Sequence, residues 1–288
     1  MINERRDTSV IHLVWLPSGI EYFKLFIDTY LDHDPAYPHQ LVIAFNGLAF
    51  DYGSNPEEYI EYLIINKIAS YKCLYFQNGQ DIEIYQKIST EINSEIVLFL
   101  NSYSQINTAN WLRNYVDNMN ERVGVISATA SHQSYHSSVF QKNTWKWEWE
   151  KGFRFNFRKY KLFIKAFFYW RTLFKSFPNP HVRTNAFMVR RNEFIAMNPE
   201  KITSKFKAYL FESGRNSLTN YYLNKGLKVL VLDKYGKTYE PHEWIRSSTF
   251  WIDNQENLLI SDNQTRLYEN GSEREKKLMK KLAWGIIE

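Results

Sequence analysis

The sequence predicts an α/β fold with a mostly parallel central sheet and helices on both faces. Three observations predict it. Short apolar runs rich in β-branched and aromatic residues recur through the first half of the chain. Each run stops at a turn carrying Gly, Asn or Pro, and segments of helical period separate the runs.

Residues 10–16, VIHLVWL, read as a buried strand stopped by Pro17-Ser18-Gly19. Residues 20–30 follow with Tyr22, Phe23, Phe26, Ile27 and Tyr30 at helical spacing. Residues 41–45 form a second strand ended by Asn46-Gly47, and 59–68 a second helix. Residues 73–76 are a short strand closed by Asn78-Gly79, ahead of a helix over 82–92. Residues 96–100, IVLFL, are a strand ending at Asn101-Ser102, and a helix over 111–119 and a strand over 123–128 complete the alternation. Alternation of this kind implies βαβ units with right-handed crossovers. Ligands in such sheets sit beyond the carboxyl ends of the strands. Chemistry is therefore expected at Ser18, Asn46, Asp81 and residues 101–103.

The second half reads differently. Residues 151–175 hold eight Lys or Arg and no Asp or Glu. Phe163, Phe167, Trp170 and Phe174 fall on one stripe of a helix over 158–175, with Arg158, Lys161, Lys165 and Lys175 on the far side and Arg171 on the flank. This predicts a basic, aromatic helical insertion over 141–180. It either packs its stripe onto the domain or lies on an anionic membrane surface. A buried strand is expected over 185–189 and a helix over 218–224 ending at Gly226. A strand over 227–232 and a polar tail, helical over 273–282, finish the chain. A single domain with a C-terminal extension over 233–288 is the expected organisation.

Composition narrows the classes. The chain has 288 residues, 44% of them hydrophobic and 17% aromatic, with a formal net charge of +5. The positive balance suits a phosphate-bearing substrate or an anionic surface. A lone cysteine, Cys73, excludes a disulfide within the chain and CxxC metal sites. The charged first residues do not resemble a signal peptide, and no run reaches the roughly 18 to 20 apolar residues of a membrane span. A cytoplasmic location, peripheral on the inner face of the cell membrane, is the expectation. His132 and His136 lie in a Ser-rich loop without an acidic partner at zinc spacing. There is no GxSxG elbow, P-loop or GxGxxG. The basic charge is concentrated in one segment with no RNP or helix-turn-helix signal, so a nucleic-acid partner is not expected.

Several short motifs recur in a familiar order. They are the first strand and loop over 13–19, LVIAFNG over 41–47, and Asn78-Gly79-Gln80-Asp81 before a helix. VLFLNSYSQI over 97–106 follows, then Phe211-Glu212-Ser213 ahead of a helix and Lys225-Gly226. Together they resemble the GT-A type of glycosyltransferase, most closely its family-2-like group, over residues 10–232. The 78–81 segment is similar to the N-x-G-x-D segment of rhamnan-synthesis-type proteins, one residue shorter. The resemblance implies a GT-A-like nucleotide-sugar fold, a nucleotide-sugar donor and a glycan or polyprenyl-linked acceptor. It further implies transfer with inversion, in bacterial surface polysaccharide synthesis. One departure stands out. The family's metal-binding aspartates align with Asn101, Ser102 and Tyr103, all neutral. Mg²⁺ and Mn²⁺ prefer carboxylate oxygen, so a bound divalent metal is disfavoured.

Inverting transfer needs a base for the acceptor hydroxyl and positive charge for the leaving diphosphate. Glu212, between an apolar run and the turn where a helix is expected to begin, is the candidate base. A carboxyl partly desolvated there is expected to have a raised pKa; otherwise it only sits near a helix N-terminus. Arg183 and Arg215 offer guanidinium forks for a diphosphate. Asp81 either binds the donor or caps the helix that follows it. Pro17, Ser18, Asn46, Asn101, Ser102 and Tyr103 complete the donor-binding set, with turn chemistry as the other reading of the polar ones. A non-catalytic nucleotide- or carbohydrate-binding relative is the alternative to an enzyme.

Overall fold

The computed structural model describes residues 7–50, 55–141, 164–197 and 202–286. In chain order the elements begin β1 (Thr8–Trp15), α1 (Glu21–Asp32), β2 (Gln40–Asn46), α2 (Pro56–Ile65), β3 (Tyr71–Phe76), α3 (Asp81–Glu91) and β4 (Ile96–Leu100). Next come β5 (Gln105–Ile106), α4 (Trp111–Asn118), β6 (Val123–Ser127), β7 (Ala130–Ser131), α5 (Tyr135–Gln141), β8 (His181–Val182), β9 (Ala186–Arg190) and α6 (Arg191–Ala196). They end with α7 (Lys205–Ser213), α8 (Leu218–Asn224), β10 (Lys228–Leu232), β11 (Thr238–Tyr239), β12 (Ile260–Ser261), α9 (Asn263–Glu269) and α10 (Glu273–Trp284).

The fold is mixed α/β around an eight-stranded sheet in the order β11-β10-β6-β9-β4-β1-β2-β3. β3, β2, β1 and β4 run parallel, as do β6 and β10. Period-two alternation divides the buried side chains between two faces. Ile11, Leu13, Val42, Val97 and Phe99 point to a layer built by α3, α6 and α8. Val10, Val14, Ile43, Leu98 and Leu100 point to one built by α1, α2 and α4. Burying side chains of this size contributes about 1.5–3 kcal/mol each, which fixes the register and so the alignment of the strand tips.

The strand expected over 185–189 forms as β9, but it lies between β4 and β6 and runs antiparallel to both. Its N-terminal end therefore stands beside the carboxyl ends of its neighbours. There the Asn101 N–H donates to the Asn185 carbonyl at 2.9 Å, and the Ala128 N–H to the Ala186 carbonyl at 2.9 Å. The C-terminal extension also departs from a polar tail. Trp244, Phe250, Trp251, Tyr268 and Trp284 belong to the same buried cluster as Ile11 and Val97.

The basic helix expected over 158–175 is described only from residue 164; Arg158, Lys161 and Phe163 lie outside the described residues. Lys165–Trp170 winds as a π-helix, continued by the short turn Arg171–Leu173. That winding, with its i→i+5 bonds, breaks the expected stripe. Trp170 and Phe174 are buried against Tyr135, Phe206 and Tyr209, whereas Phe167 is 45% exposed. No described helix is long and apolar enough to cross a membrane.

Candidate active site

The tips of β1 and β4 are tied together by the residues the sequence singles out. β1 ends at Trp15 and turns through a 3-10 segment, Leu16–Ser18. The Trp15 N–H donates to Ser102 Oγ at 3.0 Å, and Ser18 Oγ lies 3.2 Å from the Tyr103 hydroxyl. Tyr22, on α1, meets the Tyr103 ring edge-on at 4.7 Å between centroids. Asn101 Oδ1 accepts from the Tyr103 N–H at 3.0 Å and from Ser104 Oγ at 3.1 Å, an Asx-type turn. The turn-forming reading of these residues holds, and they sit at a strand tip.

This chemistry bears on metal. A hard divalent cation takes six or more oxygen ligands, with carboxylates foremost. Asn101 Oδ1 already accepts two hydrogen bonds and Ser102 Oγ one. Among the described residues no three His, Cys, Asp or Glu stand together. The 101–103 tip thus offers a divalent cation no carboxylate oxygen.

Pro17 and Asn46 shape the neighbouring tip. Gly47 adopts φ +101°, and a Cβ there would lie 2.7 Å from Pro17 Cδ. Only glycine permits both the conformation and the approach. Asn46 is fully buried; its Nδ2 donates to the Gly79 carbonyl at 2.9 Å, and its Oδ1 has no partner.

Glu212 is placed differently from expectation. It lies in the last turn of α7, ahead of the C-cap Gly214, so no helix N-terminus supports it. The support comes from the segment before β9. Thr184 donates twice to Glu212 Oε2, from its N–H at 3.0 Å and its hydroxyl at 2.7 Å. Burial pushes the Glu212 carboxyl up, but Arg183, His181 and the two Thr184 bonds outweigh it and hold the pKa below the ordinary carboxylate value. The expected rise is reversed because the sequence does not reveal the partners.

Asp81 is the first residue of α3; Gln80 occupies the cap position, so Asp81 is not the cap. Burial of its surroundings pushes its carboxyl up; its own N–H and Lys205 oppose this, and Glu212 adds to it. Asp81 is nonetheless exposed.

Arg183 and Arg215 part company. The Arg183 guanidinium stacks over the Phe250 ring, 4.4 Å from its centroid, and its Nε is buried without a partner. Phe250 is buried, stacked on Trp251 at 4.6 Å, and its carbonyl accepts from Trp284 Nε1 at 2.7 Å. Arg215 instead donates from Nη2 to the Arg171 carbonyl at 3.3 Å, and its N–H donates to the Leu173 carbonyl at 2.8 Å. It staples the π-helical segment to α7 and does not join Glu212.

Sequence reasoning missed four residues here. Thr184 and His181 lie on either side of Arg183; His181 is in β8, which pairs with β7, and Thr184 bonds Glu212 on α7. Asn185 Oδ1 accepts from Thr129 Oγ1 at 2.8 Å while its buried Nδ2 has no partner. Phe250 arrives from the C-terminal extension.

No family model matches the chain, and no curated protein matches its sequence, so neither supports the likeness of 78–81 to rhamnan-synthesis-type proteins. Among solved structures the chain is similar to the galactosyltransferase LgtC in complex with donor and acceptor sugar analogs, at TM-score 0.45 and 7% identity over 78% of this chain and 73% of that one. It is similar to the apo form of mouse xyloside xylosyltransferase 1, at TM-score 0.37 and 9% identity over 76% and 74%. It is also similar to mannosyltransferase PcManGT from Pyrobaculum calidifontis in complex with GDP-Man and Mn²⁺, at TM-score 0.37 and 14% identity over 43% of this chain and 36% of that one. The matched part is thus about a third of the mannosyltransferase, and 21% of S. aureus TarS. Residue roles in this chain rest on its own geometry.

Proposed function

We propose that the chain is an inverting glycosyltransferase that moves a sugar from a nucleotide-sugar donor to a glycan or lipid-linked glycan without a divalent cation. One observation carries this reading. The Asn101 N–H donates to the Asn185 carbonyl, and the preceding residue, Thr184, holds the Glu212 carboxylate, whose pKa the neighbouring Arg183 lowers; this chain of contacts supports one site at the β4 and β9 ends. In the proposed reaction the acceptor oxygen attacks the anomeric carbon as the bond to the diphosphate breaks. The acceptor proton passes to Glu212, and the charge gathering on the leaving diphosphate is met by guanidinium and N–H groups. Both Thr184 bonds fall on Oε2, which leaves Oε1 to take the proton. A depressed pKa keeps the base ionised at neutral pH.

The same doubled bond favours a second reading, a binding protein in which Glu212 only locks the 181–184 segment. Hydrolysis or transfer from a panel of nucleotide sugars, with Mn²⁺ or with EDTA, separates the two. Turnover that survives EDTA and falls at least 100-fold in Glu212→Gln supports the enzyme. Nucleotide binding without turnover supports the second reading.

The acceptor is assigned to a membrane surface on separate grounds. Ile164, Phe167, Phe168 and Tyr169 are 39%, 45%, 70% and 56% exposed, within the segment that carries eight basic residues and no acidic ones. Aromatic side chains beside clustered Lys and Arg suit an anionic lipid interface, where polyprenyl-linked glycans reside.

A further inference from the structure

The C-terminal extension, residues 233–288, lies beyond the segments that carry the family resemblance, and it returns to the 101–103 tip. β12 pairs antiparallel with β5, with Ile260 opposite Ile106 and Ser261 opposite Gln105. The Asn107 N–H donates to the Leu259 carbonyl at 3.1 Å alongside. Asp262 then caps α9 in a capping box closed by Thr265. Pairing and cap together fix where α9 points, and its first full turn presents Arg266 to the tip. Arg266 Nη2 donates to the Tyr103 carbonyl at 3.0 Å, while the hydroxyl of the same tyrosine meets Ser18 and its ring meets Tyr22.

A guanidinium carries five N–H donors in a fork. Arg266 Nη1 is buried and has no partner. Among the described residues no ion pair includes Arg266; Asp262 is close enough to be felt, with Oδ1 serving the cap and Oδ2 buried without a hydrogen-bond partner. An arginine confined against a strand tip, with donors to spare and no carboxylate on it, has the charge and the geometry for phosphate oxygen. It stands at the segment where the resemblance places metal-binding aspartates and this chain has Asn101, Ser102 and Tyr103.

We infer that Arg266 binds the diphosphate of the nucleotide donor, a cationic group delivered by the C-terminal extension to a tip that holds no metal ligand. The inference rests on the reading of this edge as a nucleotide-sugar site. The competing role is a staple, in which Arg266 only ties α9 to the Tyr103 carbonyl.

The test measures binding of ADP, GDP, CDP and UDP, and of the corresponding monophosphates, to wild type, Arg266→Gln and Arg266→Lys by calorimetry in EDTA. The expected result is a diphosphate that binds wild type more tightly than its monophosphate. In Arg266→Gln that advantage falls at least tenfold, with monophosphate affinity unchanged as proof of an intact fold. Arg266→Lys, which keeps a charge and a donor for Tyr103, retains part of the advantage and stands in should the Gln variant not fold. An unchanged diphosphate advantage in either variant, with only the melting temperature lowered, establishes the staple and overturns the inference while leaving the proposed function standing. Wild type that binds none of the nucleotides overturns both.

Discussion

Thr184 holds Glu212 by two hydrogen bonds to one oxygen, at 3.0 and 2.7 Å. The carboxylate stands at the C-terminal end of α7, where the helix carbonyls disfavour negative charge. Its ionised form is kept by what the neighbouring segment supplies: the Arg183 charge, the nearby His181 and these two bonds, together outweighing desolvation. The base and the cation proposed to serve the leaving group are thereby set on one scaffold, because Thr184 follows Arg183 directly in the chain.

Removing the hydroxyl alone tests that coupling. Thr184→Val keeps the N–H bond and the shape, and deletes a charge-assisted hydrogen bond worth about 1.5–3 kcal/mol. Loss of a donor to the ionised form raises the Glu212 pKa. The acid limb of the pH-rate profile, where the base becomes protonated, therefore moves to higher pH in the variant. A profile identical to wild type would show that this bond does not tune the base.

His12 makes a separate prediction about stability. It is fully buried on β1, stacked on Phe26 at 3.8 Å with neither ring nitrogen partnered. Burial pushes its pKa down from 6.5 to about 3. Between those values the unfolded chain holds a proton that the folded chain does not, so stability falls as pH drops through that window, by about 1.4 kcal/mol per pH unit. Above pH 6.5 the group has no effect. In His12→Leu, denaturant titrations from pH 6.5 down to 4 are expected to show a shallower loss than wild type by about that slope. Parallel slopes would contradict it.

The layout of the sheet was legible where local pattern decides it. The run 10–16 could bury only as a strand, and the turns after β1, β2 and β4 put Ser18, Asn46 and Asn101 at one edge. What pairing at long range decides was not legible. Nothing local says that β9 inserts between β4 and β6 in reverse, yet this brings Asn185 to Asn101. α7 was missed because its Lys and aromatic residues mix on one short helix, although the Ser204 cap that accepts from the Lys207 N–H was present to be read. Glu212 was assigned to the wrong end of a helix as a result. Arg266 reaches Tyr103 across 163 positions of sequence, through two strands of two residues each.

Phe250 couples the extension to the site. Its ring underlies the Arg183 guanidinium at 4.4 Å, and Trp284 holds its backbone. Phe250→Leu preserves most of the apolar volume and removes the aromatic face. A cation–π contact contributes about 0.5–2 kcal/mol, and the guanidinium, whose Nε already lacks a partner, loses its support. Turnover is expected to fall about tenfold with the melting temperature lowered by only a few degrees. A loss of stability without a change in turnover would confine Phe250 to packing.

The exposed aromatic residues of the π-helical segment make the last prediction. Trp170 and Phe174 anchor the segment against Tyr135 and Phe206, so Phe167 and Phe168 can be altered without touching that contact. Phe167→Ser with Phe168→Ser removes apolar surface but keeps every positive charge. Lys161→Glu with Lys165→Glu does the converse. If the segment lies on anionic lipid, wild type sediments with phosphatidylglycerol vesicles and is released by salt, because clustered cations attract the surface at about 1 kcal/mol each. The serine pair then weakens binding at all salt concentrations, since the lost term is burial in the interface. The glutamate pair abolishes the salt dependence. Wild type that stays in the supernatant at low salt would remove the membrane from the account of the acceptor and leave the strand-tip chemistry untouched.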